Sequence, residues 1–221
     1  MSSRSDSNQI TRDYFDSILL ETRYWDSDLP STKMELYGET FETPIMTAAL
    51  SHLHDICDNA MAEFGKGAKD AGAVHWVGMG EDDELEQILA TGARTVKIIK
   101  PHREDEVIYH KIRHAAEHGA FAVGMDIDHC FAGNGEYDVV CGLPMHAKTA
   151  SDLENYVKAS SVPFIVKGVL SAKDAEKCVK AGVSGILVSH HHGIMQYAVP
   201  PLMILPEIVK AVDGQIPVFV D

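Results

Sequence analysis

The chain has 221 residues, 45% of them hydrophobic, enough for one domain with a sizeable core. With 33 acidic against 19 basic residues the formal net charge is −14, which repels phosphate backbones and anionic lipid and sets aside nucleic acid and membranes as partners. No apolar run is long enough to span a bilayer, the polar start "MSSRSDSNQ" lacks a signal-peptide core, and the four cysteines (Cys57, Cys130, Cys141, Cys178) show no CxxC spacing, so a cytoplasmic protein with reduced thiols is expected.

Apolar residues at helical spacing (Ile10, Tyr14, Ile18, Leu19) predict a helix from about Ile10 to Trp25. Two short strand-like runs follow, "LPSTKMELYG" and "ETFETPIMTAAL", with Gly38 between them, and the second leads inward through Pro44, Ile45 and Met46. From there a rhythm sets in. Short apolar runs ("AVHWVGMG", "RTVKIIK", "FAVGMDID", "VPFIVKGV", "SGILVSH", "IPVFVD") alternate with amphipathic stretches ("DDELEQILATG", "DEVIYHKIRHAAEHG", "ASDLENYVKAS", "SAKDAEKCVKAG", "LMILPEIVKAVDG"). Runs apolar on both faces, alternating with helices that end in Gly, mean a parallel sheet covered by helices. Counting "TPIMTAAL" as the first, about seven strands favour an α/β fold of the (β/α)8 TIM-barrel type, with residues 1–40 as an N-terminal helix and short strands and 41–221 as the barrel. The last run ends at Asp221, so an eighth βα unit is expected to be missing.

Barrel chemistry sits at the C-terminal ends of the strands. Read in order, those ends carry Thr47, Ala48, His52 and His54; Gly78, Met79 and Gly80; Lys97 and Lys100; Asp126, Asp128 and His129; Lys167; Ser189 to His192; and Asp221. Strand alternation forbids Lys97 and Lys100 from both pointing inward, whereas Asp126 and Asp128 face alike. Lys167 stands inside the otherwise apolar "PFIVKGV" and requires a partner. The triplet His190, His191, His192 follows a buried-type strand. Three adjacent imidazoles do not converge on one ion, so no metal site is assigned. A credible one would pair His191 or His192 with Asp126, Asp128 or His54. The histidines at 102, 110, 114 and 118 read as an exposed helix face.

The run "PFIVKGVLSAKDAEKCVKAGVSGILVSHHHG", followed by "LPEIVKAVDGQIPVFVD", resembles the FMN-dependent α-hydroxy-acid oxidase and dehydrogenase family. That resemblance implies an FMN-binding TIM barrel, a small-molecule hydroxy-acid substrate and a homo-oligomer, tetrameric or larger. By the same resemblance Lys167 is the lysine that contacts the flavin N1–O2 edge and supports the reduced cofactor. His191 is the active-site base, and Thr47 and Ala48 pack beside the flavin ring. Gly78 stands at the family's serine, Lys97 at its glutamine and Asp126 at its threonine, so the flavin-edge contacts change together. Lys167, His191 and Asp128 are therefore the expected catalytic set. Thr47, Ala48, Gly78, Lys97, Asp126, Lys167 and Ser189 are the expected cofactor-binding set.

The family motif "S-N-H-G-G-R-Q" is "SHHHGIMQ" here, which puts Ile194 at the arginine that grips the substrate carboxylate. FMN binding is expected to be weak or absent in this chain, because the phosphate loops of the family follow later strands. The departures leave two alternatives: a barrel without flavin that uses its His/Asp rim for metal-assisted or acid–base chemistry, and a degenerate binding subunit.

Overall fold

A computed structural model describes residues 5–221. Helix α1 (Ser7–Ser17) is capped by Asp6, whose carboxylate accepts from the Asn8 and Gln9 amides. It ends at Ser17, well short of Trp25. Beyond it Leu19, Leu20 and Trp25 are 90%, 90% and 95% exposed. The apolar spacing that predicts a longer helix has no surface to pack against, and short helices without packing are marginal.

Strands β1 (Met34–Leu36) and β2 (Glu39–Phe41) form an antiparallel hairpin. Its turn residues Tyr37 (φ 48°) and Gly38 (φ 82°) are both left-handed, the geometry that matches strand twist. The hairpin closes the N-terminal end of the main sheet. Phe41 and Tyr37 pack on Phe121, Tyr37 donates to the Ser184 carbonyl at 2.8 Å, and Glu39 pairs with Arg94.

The main sheet has six strands, all parallel: β3 (His75–Val77), β4 (Thr95–Ile99), β5 (Ala122–Asp126), β8 (Phe164–Val169), β9 (Gly185–Val188) and β10 (Val218–Val220). Between β5 and β8 lies a two-residue-strand hairpin, β6 (Val139–Val140) and β7 (Leu143–Pro144), too short to leave a periodic trace in the sequence. Helix α2 (Ala60–Asp70) precedes β3, and helices α3 (Asp82–Ala90), α4 (Asp105–Glu117), α5 (Ala150–Ala159), α6 (Ala172–Lys180) and α7 (Pro201–Val212) follow the sequence expectation closely.

Two apolar layers flank the sheet. The outer one (Ile108, Ile112, Val123, Val166, Ile186, Ile208) packs it against the helices. The inner one (Trp76, Val96, Ile98, Ala122, Ile165, Leu187) fills the concave side. The sheet curls far enough for Trp76 on β3 to meet Phe219 on β10, at opposite ends of the strand order, with ring centroids 5.3 Å apart. This is the (β/α)-barrel arrangement, with six of its eight strands formed among the described residues.

The expected first strand, "TPIMTAAL", is only an extended segment joined to β3 by a single bridge, Leu50 to Val77. Pro44 brings no N–H, and the Thr47 hydroxyl accepts the Trp76 amide at 2.8 Å in place of a ladder carbonyl. The same hydroxyl holds His75 Nδ1 at 2.9 Å.

Burial pushes His75 down to about 4 from its ordinary 6.5. His102 also falls to about 4, chiefly by burial and then by nearby Lys111. The unfolded chain therefore takes up these protons first, and stability falls as pH drops from 6.5 towards 4, by up to about 1.4 kcal/mol per pH unit for each group. Denaturant midpoints measured across that window should slope less steeply in His102→Asn.

Candidate active site

At the C-terminal ends of β5 and β8, Asp126 lies directly opposite Lys167 in the ladder. Both face the concave side, on the parity of Ala122 and Ile165, and they are 2% and 5% exposed. Lys100, just past β4, donates to Asp126 Oδ2 at 2.6 Å, and Lys167 Nζ lies 3.8 Å from Oδ1. Two buried ammonium groups thus share one buried carboxylate, the compensation that ionised groups need away from water. Lys167 also donates to Ser189 Oγ at 2.9 Å and lies 3.6 Å from Asp221.

His191 comes to the same place from the loop after β9. Its Nδ1 is 3.0 Å from Asp128 Oδ1 and 3.8 Å from Asp126 Oδ1, and its amide donates to Ser189 Oγ at 3.0 Å. A carboxylate only accepts, so Nδ1 carries the proton and Nε2 of the neutral ring keeps its lone pair. His129 packs edge-on against this imidazole, centroids 5.0 Å apart. The loop bends sharply here: His191 (φ 50°) and His192 (φ 53°) are successive left-handed non-glycine residues, strain of the kind held at functional sites.

Helix α1 fastens that loop. The Gly193 amide donates to His190 Nδ1 at 3.1 Å, so His190 Nε2–H donates to Thr11 Oγ1 at 2.7 Å. Asn8 Nδ2 donates to the His192 carbonyl at 2.9 Å. His190 and His192 therefore shape the turn while His191 enters the cluster.

Gly168 keeps the cluster together. It has φ +89°, and a Cβ there would stand 2.4 Å from Asp128 Cγ. Gly168→Ala is expected to push Asp128 off His191 and to cost about 1–3 kcal/mol by backbone strain and overpacking. Urea unfolding reads the stability, and imidazole NMR shifts read the broken contact.

Two buried acceptors, Asp126 Oδ1 and Asp128 Oδ2, have no hydrogen-bond partner among the described residues. A bound molecule bearing N–H or O–H groups at this mouth would satisfy them. The Asp126, Asp128 and His191 ligand atoms also lie within 4.8 Å of one another, a spacing a cation could use, but Lys100 and Lys167 already supply the positive charge.

The remaining expected residues lie elsewhere. Lys97 faces the helix side, on the parity of Ile99; it donates to the Gly78 carbonyl at 2.7 Å, and burial lowers it to about 8. Alternation thus puts Lys100 inside and Lys97 out. Gly78 has no room for a side chain, since a Cβ would meet the Ala49 carbonyl at 2.8 Å. The Thr47 hydroxyl is tied to β3, and Ala48 is exposed. His102 is not on an exposed face: it is 7% exposed and bridges Met145. A cavity of about 780 Å³ opens beside the cluster, lined among others by His52, Met79, Lys97, Lys100, His102 and Leu143. Of the cluster, Lys100 alone also lines it. The cavity offers room, while the converging titratable groups beside it offer the chemistry.

A protein-family model described as FMN-dependent dehydrogenase matches residues 2–157 and 144–221. An L-lactate oxidase of Lactobacillus jensenii is 26% identical over 88% of this chain and 55% of its own length. A 2-hydroxyacid oxidase 1 of Mus musculus is 48% identical over 29% of this chain and 18% of its own length. The chain thus spans about half, or less, of these relatives. Among solved structures, a mandelate oxidase mutant with a monooxide FMN adduct superposes with TM-score 0.89 at 26% identity, over 100% of this chain and 70% of that one.

Proposed function

The chain belongs to the FMN-dependent dehydrogenase family, and from that premise we propose that the Lys167, Asp126, Asp128 and His191 cluster is the redox site of an FMN-binding oxidoreductase acting on a small 2-hydroxy acid. The observation that carries the reading is the imidazole of His191, oriented by Asp128 at 3.0 Å beside a buried lysine. The residues fit the cofactor: the unpaired Asp126 and Asp128 oxygens call for N–H or O–H donors, and Lys167 brings a cation to a buried wall. When bound, FMN would supply the acceptor for the electron pair and one of the two protons lost as the substrate α-carbon is oxidised, leaving the other proton to the protein. His191 takes the proton at Nε2, because Nδ1–H is committed to Asp128. Asp128 stabilises the imidazolium that results. Lys167, anchored by Ser189, offsets negative charge arising next to it.

With Ile194 at the position of the family arginine, the carboxylate of the substrate falls to a single ammonium, Lys100, which joins the cluster to the cavity. One-point ammonium contacts grip a carboxylate less firmly than a bidentate guanidinium, so a high KM follows. The reading also includes self-association through the exposed Phe15, Leu19, Leu20 and Trp25, and a reducing, cytoplasmic setting for the four free cysteines. No described helix is long and apolar enough to cross a membrane.

The test is dye-coupled oxidation of glycolate, lactate and mandelate by the chain supplied with FMN. Flavin-dependent turnover of at least one acid supports the reading, and inactivity towards all three with flavin bound contradicts it.

A further inference from the structure

Independently of that reaction, the outer face of α3 and α4 carries a second cluster of imidazoles and carboxylates. Asp82 and Glu86 lie one turn apart on α3. His110, His114 and His118 stand at successive four-residue steps on α4 and its C-cap, so they share one face. We propose that Glu86, His114 and His118 form a zinc-type divalent metal site that clips α3 to α4.

Three geometric facts point there. Glu86 Oε1 is 3.0 Å from His114 Nε2 and 3.6 Å from His118 Nε2. A tetrahedral zinc with ordinary ligand distances separates neighbouring ligand atoms by about 3.3 Å, between those two values. The three ligand atoms all lie within 4.8 Å of one another.

Second, His118 Nδ1 lies 2.8 Å from the His114 carbonyl. A carbonyl only accepts, so Nδ1 carries a proton and Nε2 is the nitrogen that faces the Glu86 carboxylate. A divalent cation placed between these two atoms would be ligated by both. The backbone bond is also the outer contact that fixes a ligating imidazole.

Third, His114 is largely buried, at 11% side-chain exposure, and its Nδ1 has no hydrogen-bond partner among the described residues. That nitrogen lies 3.8 Å from Asp82 Oδ1. Ligation at Nε2 puts the proton on Nδ1, aimed at Asp82, in the carboxylate–histidine–metal relation. The rings of His114 and His118 already lie close, centroids 4.2 Å apart and planes inclined by 31°, so closing the site needs small movements. Two imidazoles, one carboxylate and a solvent-filled fourth position suit Zn²⁺, with Ni²⁺ and Cu²⁺ as competitors for the same donors.

The experiment is calorimetric titration of Zn²⁺ into the tag-free, chelator-treated chain. The expected result is one equivalent bound, with affinity at least tenfold weaker in His118→Ala and Glu86→Gln and unchanged in His191→Ala. Both outer residues are partly exposed, so these variants keep the fold, which circular dichroism checks. Co²⁺ substituted for Zn²⁺ should give the intense visible absorption of a tetrahedral site. Absence of stoichiometric binding, binding that survives His118→Ala and Glu86→Gln together, or binding abolished by His191→Ala would each overturn the proposal; the last would move the ion to the Asp126 cluster.

Discussion

Replacing His191 by glutamine should lower kcat/KM for 2-hydroxy-acid oxidation by about 10²–10⁴-fold, the usual worth of a positioned general base. Glutamine can still reach the Asp128 carboxylate that His191 holds at 3.0 Å, so the loop keeps its anchor. What it lacks is an Nε2 lone pair able to take a proton at neutral pH. The loss should therefore fall on kcat, with flavin affinity unchanged, because flavin contacts are assigned to other residues. Steady-state kinetics together with a flavin titration separates the two. An equal loss of flavin binding would make His191 a structural residue.

Asp126→Ala should cost about 3–5 kcal/mol of folding stability, the penalty for stranding a buried charge. Here two buried ammonium groups lose a carboxylate partner. Lys100 and Lys167 are 8% and 5% exposed, and both lose the carboxylate that sits 2.6 and 3.8 Å from them. Among the described residues Lys167 keeps Asp221 and Ser189 as polar partners, while Lys100 is left lining the cavity. Adding Lys100→Met should recover part of the loss, since it removes one of the uncompensated charges. Guanidinium unfolding of the single and double variants measures that coupling. Additive effects would mean that Lys100 and Asp126 do not depend on each other.

The repeating strand–helix rhythm was legible in the sequence because each barrel strand is apolar on both faces and each helix is amphipathic. "TPIMTAAL" has the composition of such a strand. Whether it joins the ladder turns on the Thr47 hydroxyl, which takes the Trp76 amide, and composition does not carry that contact. The helix expected through Trp25 fails for a related reason: periodicity reports an apolar stripe, and what the stripe packs on lies elsewhere in the fold.

At the site, alternation correctly allied Asp126 with Asp128 and restricted Lys97 and Lys100 to opposite faces. Choosing between the two lysines required the register, in which Ile98 lies beside Gly124 and Asp126 beside Lys167. The dependence of His191 on Asp128 joins positions 63 apart in sequence through the left-handed turn at His191 and His192. Nothing local in "SHHHGIMQ" encodes that partner. The apparent exposed face of histidines on α4 hid a largely buried His114, which faces Glu86 on α3.

Anaerobic mixing of the FMN-loaded chain with a 2-hydroxy acid, followed by absorption near about 450 nm, reads the redox step itself. The site described here predicts bleaching of the bound flavin, rapid in the unaltered chain and slowed at least a hundredfold in His191→Gln. Bound flavin that stays oxidised, or bleaching equally fast in the variant, would contradict it.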